Sequence, residues 1–274
     1  MEQSARWNGT AGNAWVDMQE LLDGMFRPFE ELLVEAVKQA DGRHVLDIGC
    51  GTGGTTLAVA RALRGNGSAT GVDISEPMIE AARARAEAEH SPARFIRADA
   101  QSHAFEPASI DMIFSRFGVM FFDDPVAAFV NLRRAAKPNA ELNLIAWRSA
   151  ADNPFMTTAE HAAAPLLPRI PTREPDAPGQ FAFGDPDRVD TILQKSGWAD
   201  IDLQLLDVVC SFPESDLEFY FTRLGIIAPL LREADEPTRA GVIDVVRAAF
   251  DPYVDGTEVR FTAACWMVGA RARE

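Results

Sequence analysis

Cysteine and positive charge are both scarce in this chain of 274 residues. The three cysteines, Cys50, Cys210 and Cys265, lie far apart and form no CxxC pair, which argues against a disulfide framework or a structural zinc site. Asp and Glu outnumber Lys and Arg by 41 to 26, a formal net charge of −15. This excess of negative charge argues against nucleic acid and against anionic membranes as partners.

Long apolar runs and the common catalytic signatures are also missing. No stretch is long and apolar enough to span a bilayer, and the opening MEQSARWNGTAGNAWVD contains no basic start followed by an apolar run. There is no P-loop lysine, no HExxH, no Ser-His-Asp order and no paired Cys–His spacing. We therefore expect a cytoplasmic protein with no signal peptide, no membrane insertion and no metal site.

The chain alternates strand-like and helix-like segments over its first 150 residues. The predicted strands are Arg43–Ile48, Ser68–Asp73, Arg94–Ala98, Ile110–Phe114, Glu141–Trp147, Asp202–Ser211 and Val259–Ala270. The predicted helices are 14–40, Thr55–Leu63, Pro77–Glu89, Pro125–Ala136, 154–166, Pro186–Ser196, Leu217–Leu231 and Pro237–Phe250. Such alternation predicts an α/β fold, a Rossmann-like, doubly wound, mostly parallel sheet of seven strands.

Changes in composition and in the strand–helix alternation divide the single predicted domain into parts. Residues 1–40 read as an N-terminal helical lid, and residues 41–150 as the ligand-binding core. The proline-rich stretch 150–185 and the segment 213–252 interrupt the alternation, so we interpret both as inserted cap segments. The sequence leaves the oligomeric state open.

Three acidic residues follow three predicted strands of the core. The turn VLDIGCGTGGTT at 45–56 places Asp47 at the end of the first strand, before glycines that let a ligand approach the backbone. GVDIS puts Asp73 after the second strand, and RADAQ puts Asp99 after the third. Because parallel sheets bind ligands beyond the carboxyl ends of their strands, these side chains should border one site.

The acids distinguish between possible ligands of the glycine turn. The pattern G-x-G-x-x-G by itself is weak evidence for a dinucleotide. Asp47 would repel a pyrophosphate and attract an ammonium or sulfonium group, Asp73 can accept both hydroxyls of a ribose, and Asp99 can accept from the amine of adenine. A ligand with these three parts in this order is S-adenosylmethionine. Roles as a helix-dipole partner for Asp47, and as turn or cap residues for the other two, remain alternatives.

At this point the sequence resembles the class I S-adenosylmethionine-dependent methyltransferases. The resemblance rests on VLDIGCGTG, GVDIS, RADAQ, IDMIFSRFGVMFF and KPNAELNLIAW, which occur in order between about residues 40 and 150. It is closest to the small-molecule branch that includes the quinone-biosynthesis methyltransferases. The chain has PNA where the family commonly has PGG after the helix, a difference in turn geometry.

The resemblance implies a set of cofactor-binding residues. They are Asp47, Gly49, Cys50, Gly51 and Gly53 around the methionyl end, Asp73, Ile74 and Met78 around the ribose, Asp99 and Ala100 at the adenine, and Ser115 after the fourth strand. For Cys50 itself the sequence indicates a small residue in a tight turn, since no basic neighbour would activate its thiol.

Candidate residues for the acceptor side are aromatic, basic or titratable. They are Trp15 on the predicted lid, Arg116, Phe117 and Met120 after the fourth strand, Trp147 and Phe155 near the fifth, and His161 in the first insertion. His161 is the one histidine we nominate as a general base, and Tyr220 and Tyr253 are weaker candidates. Simple core packing for the aromatic residues, and an ion pair for Arg116, are the alternatives.

These patterns predict methyl transfer from S-adenosylmethionine to a small, partly apolar molecule by in-line displacement. A nicotinamide-dependent oxidoreductase would share the glycine turn and Asp73, but would leave Asp47 and Asp99 unexplained. A non-catalytic module that binds S-adenosylmethionine is the second alternative. The acceptor and its nucleophilic atom cannot be read from the sequence.

Overall fold

One β-sheet runs through the computed structural model, which describes residues 2–40, 43–167, 170–174 and 177–273. Its strands are β1 His44–Ile48, β2 Ser68–Asp73, β3 Arg94–Arg97, β4 Ile110–Arg116, β5 Ala136–Trp147, β6 Ala199–Pro213, β7 Val254–Asp255 and β8 Glu258–Arg271. The predicted boundary at residue 41 and parts of the 150–185 segment lie outside the described residues.

The strand order is β3-β2-β1-β4-β5-β8-β6, and the short β7 pairs with β8. Strands β1 to β5 pair in parallel, whereas β8 lies antiparallel between β5 and β6. The mostly parallel, doubly wound sheet predicted from the sequence is therefore confirmed. The chain moves outward from β1 to β3 and returns to β4 beside β1, so the strand order reverses between β1 and β4.

Helices and short 3₁₀ turns connect the strands. Along the described residues the helices are α1 Glu2–Trp7, α2 Thr10–Asp17, α3 Gln19–Met25, α4 Arg27–Gln39, α5 Gly54–Leu63, α6 Glu76–Ala88, α7 Pro125–Ala135, α8 Pro154–Ala163, α9 Pro186–Lys195, α10 Leu217–Arg223, α11 Ile227–Glu233 and α12 Glu236–Ala249. Several have a proline at their first or second position, where its fixed φ suits the first turn, after a capping side chain. The caps are Ser75 before α6, Asp124 before α7, Asp185 before α9 and Asp235 before α12.

Two predicted helices are divided in the structure. The pattern over 14–40 belongs to three helices, and α2 already begins at Thr10. The segment Leu217–Leu231 forms α10 and α11, because Leu224 is extended and Gly225 has a φ of +81°. A left-handed residue ends a helix, and glycine adopts that conformation without the clash that a Cβ would cause.

Strand β5 begins five residues earlier than the predicted Glu141. Helix α7 ends at Ala135, and Ala136 is already extended and pairs with Ile110. Asn139 of the PNA turn adopts the left-handed conformation, with a φ of +63°, and lies within β5 where the register with β4 shifts. Its N–H donates to Ala272 O at 2.7 Å, which ties this irregular start of the strand to the C-terminal segment.

The N-terminal helices contribute to the core as well as to the cover of the sheet. Phe29 and Leu33 of α4 are fully buried, as is Phe114 of β4. Helix α4 packs on β4 and β5 and helix α3 packs on β6, so both helices belong to the packed body of the protein. Among the described residues, no helix combines the length and apolar character that crossing a membrane requires.

Candidate functional site

The glycine turn after β1 touches the loop after β4, at the point where the strand order reverses. Gly49 has a φ of +68°, and a Cβ added to it would lie 2.5 Å from Gly118 Cα. A Cβ on Gly118 would lie 2.5 Å from Ile48 O. The hydroxyl of Ser115 donates to Ile48 O at 2.6 Å and accepts from Gly118 N at 3.1 Å. Both loops therefore present bare backbone at the carboxyl edge of the sheet, where open α/β sheets bind their ligands.

A cavity of about 1470 Å³ opens over this edge. Helices α1 and α2, the loop after β4, helix α8 and helices α10 and α11 form its walls. The predicted site residues that line it are Trp15, Gly49, Gly51, Asp73, Ile74, Met78, Asp99, Ala100, Arg116, Phe117, Met120, Trp147 and Phe155. Pockets for one small ligand usually measure about 300–1,000 Å³, so this space is large enough for two molecules.

Asp73 is held rigidly at the tip of β2. Its Oδ2 accepts from Gly51 N at 2.8 Å and its Oδ1 accepts from Ser75 N at 2.9 Å. Each carboxylate oxygen keeps a second lone pair that can face the cavity. Burial raises the pKa of Asp73, and the backbone donors oppose that rise. The arrangement joins the turn after β1 to the turn after β2 and presents a fixed acceptor pair.

Asp47 lies behind the glycine turn, in a second, smaller cavity that shares Gly49 and Gly51 with the large one. The carboxylate is buried, and Thr56 Oγ1 of α5 donates to its Oδ2 at 2.6 Å. Burial raises the pKa of Asp47 to about 7, although the hydrogen bond from Thr56 lowers it. Near neutral pH this carboxyl group is therefore poised between its two protonation states.

Asp99 and Ala100 form the edge of the cavity beyond β3. Asp99 is exposed, and its Oδ1 accepts from Gln101 N at 2.9 Å. The buried Asn131 of α7 donates to Ala100 O at 2.9 Å and to His103 O at 2.8 Å. These bonds fix the loop that follows β3 against α7 and leave the Asp99 carboxylate at the cavity border.

An aromatic cluster walls the cavity beside β4 and β5. Phe117, with a φ of +66°, stacks on Trp147 with ring centroids 4.7 Å apart and an interplanar angle of 13°. Phe26 meets both rings edge-on. Met120 is buried beside them in the loop after β4. Phe117, Met120 and Trp147 are buried in the core and also line the cavity, so core packing and a place in the cavity wall are compatible for these residues.

Arg116 borders both cavities at the end of β4. Its Nη1 donates to Phe26 O at 3.3 Å, and its guanidinium lies 5.8 Å from the centre of the Phe26 ring. Burial lowers the pKa of Arg116, while the carboxylates of Asp23, Glu30 and Asp47 favour its charged form. The guanidinium thus lies within the field of neighbouring carboxylates and also borders the ligand space.

Three predicted site residues do not reach the ligand space. His161 is exposed on α8, whereas its neighbour Glu160 faces the cavity. A Cβ on Gly53 would lie 2.8 Å from the Phe95 ring, so this glycine serves packing between α5 and β3. Ser115 is fully buried because β4 continues to Arg116, two residues beyond its predicted end. Cys50 lines the smaller cavity, and burial raises the pKa of its thiol.

The sequence did not identify the residues that bring the N-terminus to the site. Asn8 Nδ2 donates to Ile74 O at 3.1 Å, and its Oδ1 accepts from Glu76 N at 2.8 Å. Ser75 Oγ donates to Trp7 O at 2.6 Å. We call these contacts the Asn8 clasp. They join partners more than sixty residues apart, and the only local signal was the Asn-Gly pair that separates α1 from α2.

Comparison with known proteins gives the site its family. A model of the methyltransferase domain matches residues 45–139, the stretch from β1 into the start of β5. Demethylmenaquinone methyltransferase of Renibacterium salmoninarum is 25% identical over 214 residues, which are 75% of this chain and 87% of that protein. Nocamycin O-methyltransferase of Saccharothrix syringae is 27% identical over 189 residues, 64% of this chain and 66% of that protein.

The fold is also known from solved structures. The YcgJ protein of Bacillus subtilis superimposes with a TM-score of 0.57 at 18% identity, over 88% of this chain and 97% of that one. At that identity the likeness shows the shared fold alone. The matched domain model, the similar methyltransferases and the strand order lead to one conclusion: residues 45–139 form a class I S-adenosylmethionine-dependent methyltransferase domain, and S-adenosylmethionine is its cofactor.

Proposed function

We propose that the protein transfers a methyl group from S-adenosylmethionine to a small, partly apolar molecule. The observation that carries the proposal is the size and lining of the cavity: it exceeds the volume that one ligand needs, and Phe117, Met120, Trp147 and Phe155 wall the part beside β4 and β5. The similar proteins are named for a demethylated menaquinone and for nocamycin, both small molecules. A quinone-like ring would suit such an aromatic wall.

We assign the cofactor to the half of the cavity over β1, β2 and β3. Asp73 would accept the ribose hydroxyls, Asp99 and the backbone of Ala100 would receive adenine, and Ile74 and Met78 would flank the rings. Asp47 would attract the ammonium group through the glycine turn. The support is that Asp73 borders the cavity and is already oriented by two backbone donors.

Positioning is the main contribution that we assign to the protein. S-adenosylmethionine, when bound, supplies an electrophilic methyl group on a sulfonium. The chain's own residues would hold the two molecules in line and keep water away, an effect that can contribute about 7–11 kcal/mol. The exposed position of His161 gives no support for a histidine base. In our proposal any proton lost by the acceptor leaves to solvent or to another group.

Transfer of label tests the proposal directly. Incubation with S-adenosylmethionine labelled in its methyl group should place radioactivity on a molecule that organic solvent extracts, both from a metabolite extract and from a reduced naphthoquinone lacking the ring methyl. The variant Asp73→Ala should reduce that signal to background. Label found solely on protein or RNA would contradict the small-molecule proposal.

Binding measurements separate the proposal from the two alternatives. Titration with S-adenosylhomocysteine should give saturable heat, whereas titration with NADH should not. A sensor or scaffold would bind the cofactor but transfer label to no acceptor.

We further propose a cytoplasmic location and no nucleic-acid partner, which the buried thiols and the net charge of −15 support.

The Asn8 clasp should hold the N-terminal cover closed over the cofactor. We expect Asn8→Ala to weaken binding of S-adenosylhomocysteine by about 5- to 10-fold, because two hydrogen bonds between the cover and the ribose turn are lost. Calorimetry measures the affinity, and hydrogen–deuterium exchange of residues 10–17 should accelerate in the bound protein. Gln39→Ala is the control: it removes a side-chain hydrogen bond to Glu35 on the exposed face of α4 and should change neither quantity. Equal affinity and exchange in Asn8→Ala and wild type would contradict a closing role.

A further inference from the structure

Tyr220 of α10 places a poorly satisfied hydroxyl at the cavity. Among the described residues its hydrogen-bond partner is Met156 Sδ, at 3.5 Å. A thioether is a weak acceptor, whereas buried tyrosine hydroxyls usually find a strong one. Both Tyr220 and Met156 line the large cavity. The hydroxyl can turn from the sulfur toward the cavity by rotation about its C–O bond, with no movement of the ring.

The surroundings of Tyr220 fix the ring and keep the hydroxyl protonated. Phe212 and Phe155 pack against the ring, with centroids 5.2 Å and 5.7 Å away. Burial raises the pKa of Tyr220, so the group is a neutral donor over the physiological range. Phe155 and Met156 come from α8, which follows β5 and lies on the side of the cavity opposite Asp73 and Asp99 in the strand order. The donor therefore lies on the side of the cavity that we assign to the acceptor.

We propose that the Tyr220 hydroxyl recognises an oxygen atom of the methyl acceptor and so selects oxygen-bearing rings over plain hydrocarbons. The inference rests on the proposed function, since it concerns the same cavity. A neutral donor in an apolar wall discriminates in this way because a ligand without an acceptor atom leaves the hydroxyl with its weak sulfur partner. Tyr220 would act by binding and orienting the acceptor, not by removing a proton.

Two probes of nearly equal shape test the inference: 1-acetonaphthone, which carries one carbonyl oxygen, and the hydrocarbon 1-isopropenylnaphthalene, in which a CH2 group replaces that oxygen. Their dissociation constants would be measured on protein saturated with S-adenosylhomocysteine, by quenching of tryptophan fluorescence. We expect Tyr220→Phe to weaken binding of the ketone about 3- to 10-fold and to leave binding of the hydrocarbon unchanged. The ratio of the two constants cancels any general effect on the cavity.

Tyr253→Phe is the matched control, because Tyr253 also packs edge-on against Phe155, 5.0 Å away, but does not line the cavity. It should keep the wild-type ratio. An unchanged ratio in Tyr220→Phe, an equal change in both variants, or no binding of either probe to the wild type would overturn the inference. The assay needs no turnover, so the two proposals can fail separately. If Tyr220→Phe changed the ratio but no label were transferred, the binding role of Tyr220 would stand and the proposed function would be refuted. If label were transferred but the ratio stayed the same, the proposed function would stand and the role of Tyr220 would be refuted.

Discussion

Replacing Gly49 by alanine is expected to lower the free energy of unfolding by about 3 kcal/mol. At a φ of +68° an alanine is in the left-handed region, which costs about 1–2 kcal/mol. Its Cβ would also lie 2.5 Å from Gly118 Cα, a backbone atom that cannot turn aside as a side chain would. Relief requires β1 and β4 to separate at the point where the cofactor should approach, so binding of S-adenosylhomocysteine should fall as well.

Gly24→Ala is the control for this prediction. Gly24 lies in α3 with open space where a Cβ would go, so alanine there should raise the free energy of unfolding by about 0.5–1 kcal/mol. Denaturation in urea, with the slope compared between variants, measures both changes. A loss below about 1 kcal/mol in Gly49→Ala would mean that the contact between the two loops is looser than the structure places it.

The residues that the sequence predicted at one edge of the sheet, and that the structure places there, are those fixed by local pattern. Asp73 and Asp99 each follow a short apolar strand, and a parallel sheet carries the ends of its neighbouring strands to one edge. The glycines of the turn after β1 are enough to indicate its conformation. Such features need no knowledge of what packs against them, which is why the sheet and the cofactor edge could be predicted from the chain alone.

The errors arise where the direction of a side chain depends on the exact end of a strand or helix. Ser115 points into the core because β4 runs two residues further than its apolar pattern indicates. His161 and Glu160 are neighbours on α8, and a rotation of about 100° per residue decides which of them meets the cavity. Contacts of long sequence separation, such as Asn8 with Ile74 or Tyr220 with Met156, leave no periodic trace in the sequence.

Asp47→Asn is expected to weaken cofactor binding and to stabilise the ligand-free protein at the same time. A buried carboxylate with a pKa raised to about 7 is costly to ionise, and the amide keeps the shape and can still accept from Thr56. Loss of the charge that we propose attracts the ammonium group should weaken binding of S-adenosylhomocysteine by about 10- to 100-fold at pH 8. A partner of the helix dipole alone would predict no such loss.

The pH dependence of cofactor binding and of stability should distinguish the wild type from Asp47→Asn. The wild type should bind S-adenosylhomocysteine more weakly as the pH falls from 8 to 6, because protonation of Asp47 removes the charge that attracts the ligand; the variant should lack this component. The free energy of unfolding of the ligand-free wild type should change in the opposite direction with pH. The folded pKa lies above the ordinary value of 3.8, so the folded wild type holds an extra proton between about pH 4 and 7 and loses free energy of unfolding as the pH rises through that window. The stability advantage of the variant should therefore grow with pH.

Calorimetry at pH 6, 7 and 8 measures the affinity, and thermal unfolding without ligand measures the stability difference. Other titratable groups are present in both proteins, so their own contributions cancel in that difference. Asp251→Asn, on an exposed turn far from the glycine loop in sequence, should match the wild type in both measurements. A charge that binds the cofactor must make the affinity depend on its own ionisation. Equal affinity and parallel pH profiles for Asp47→Asn and the wild type would therefore show that Asp47 is a structural partner of α5 through Thr56.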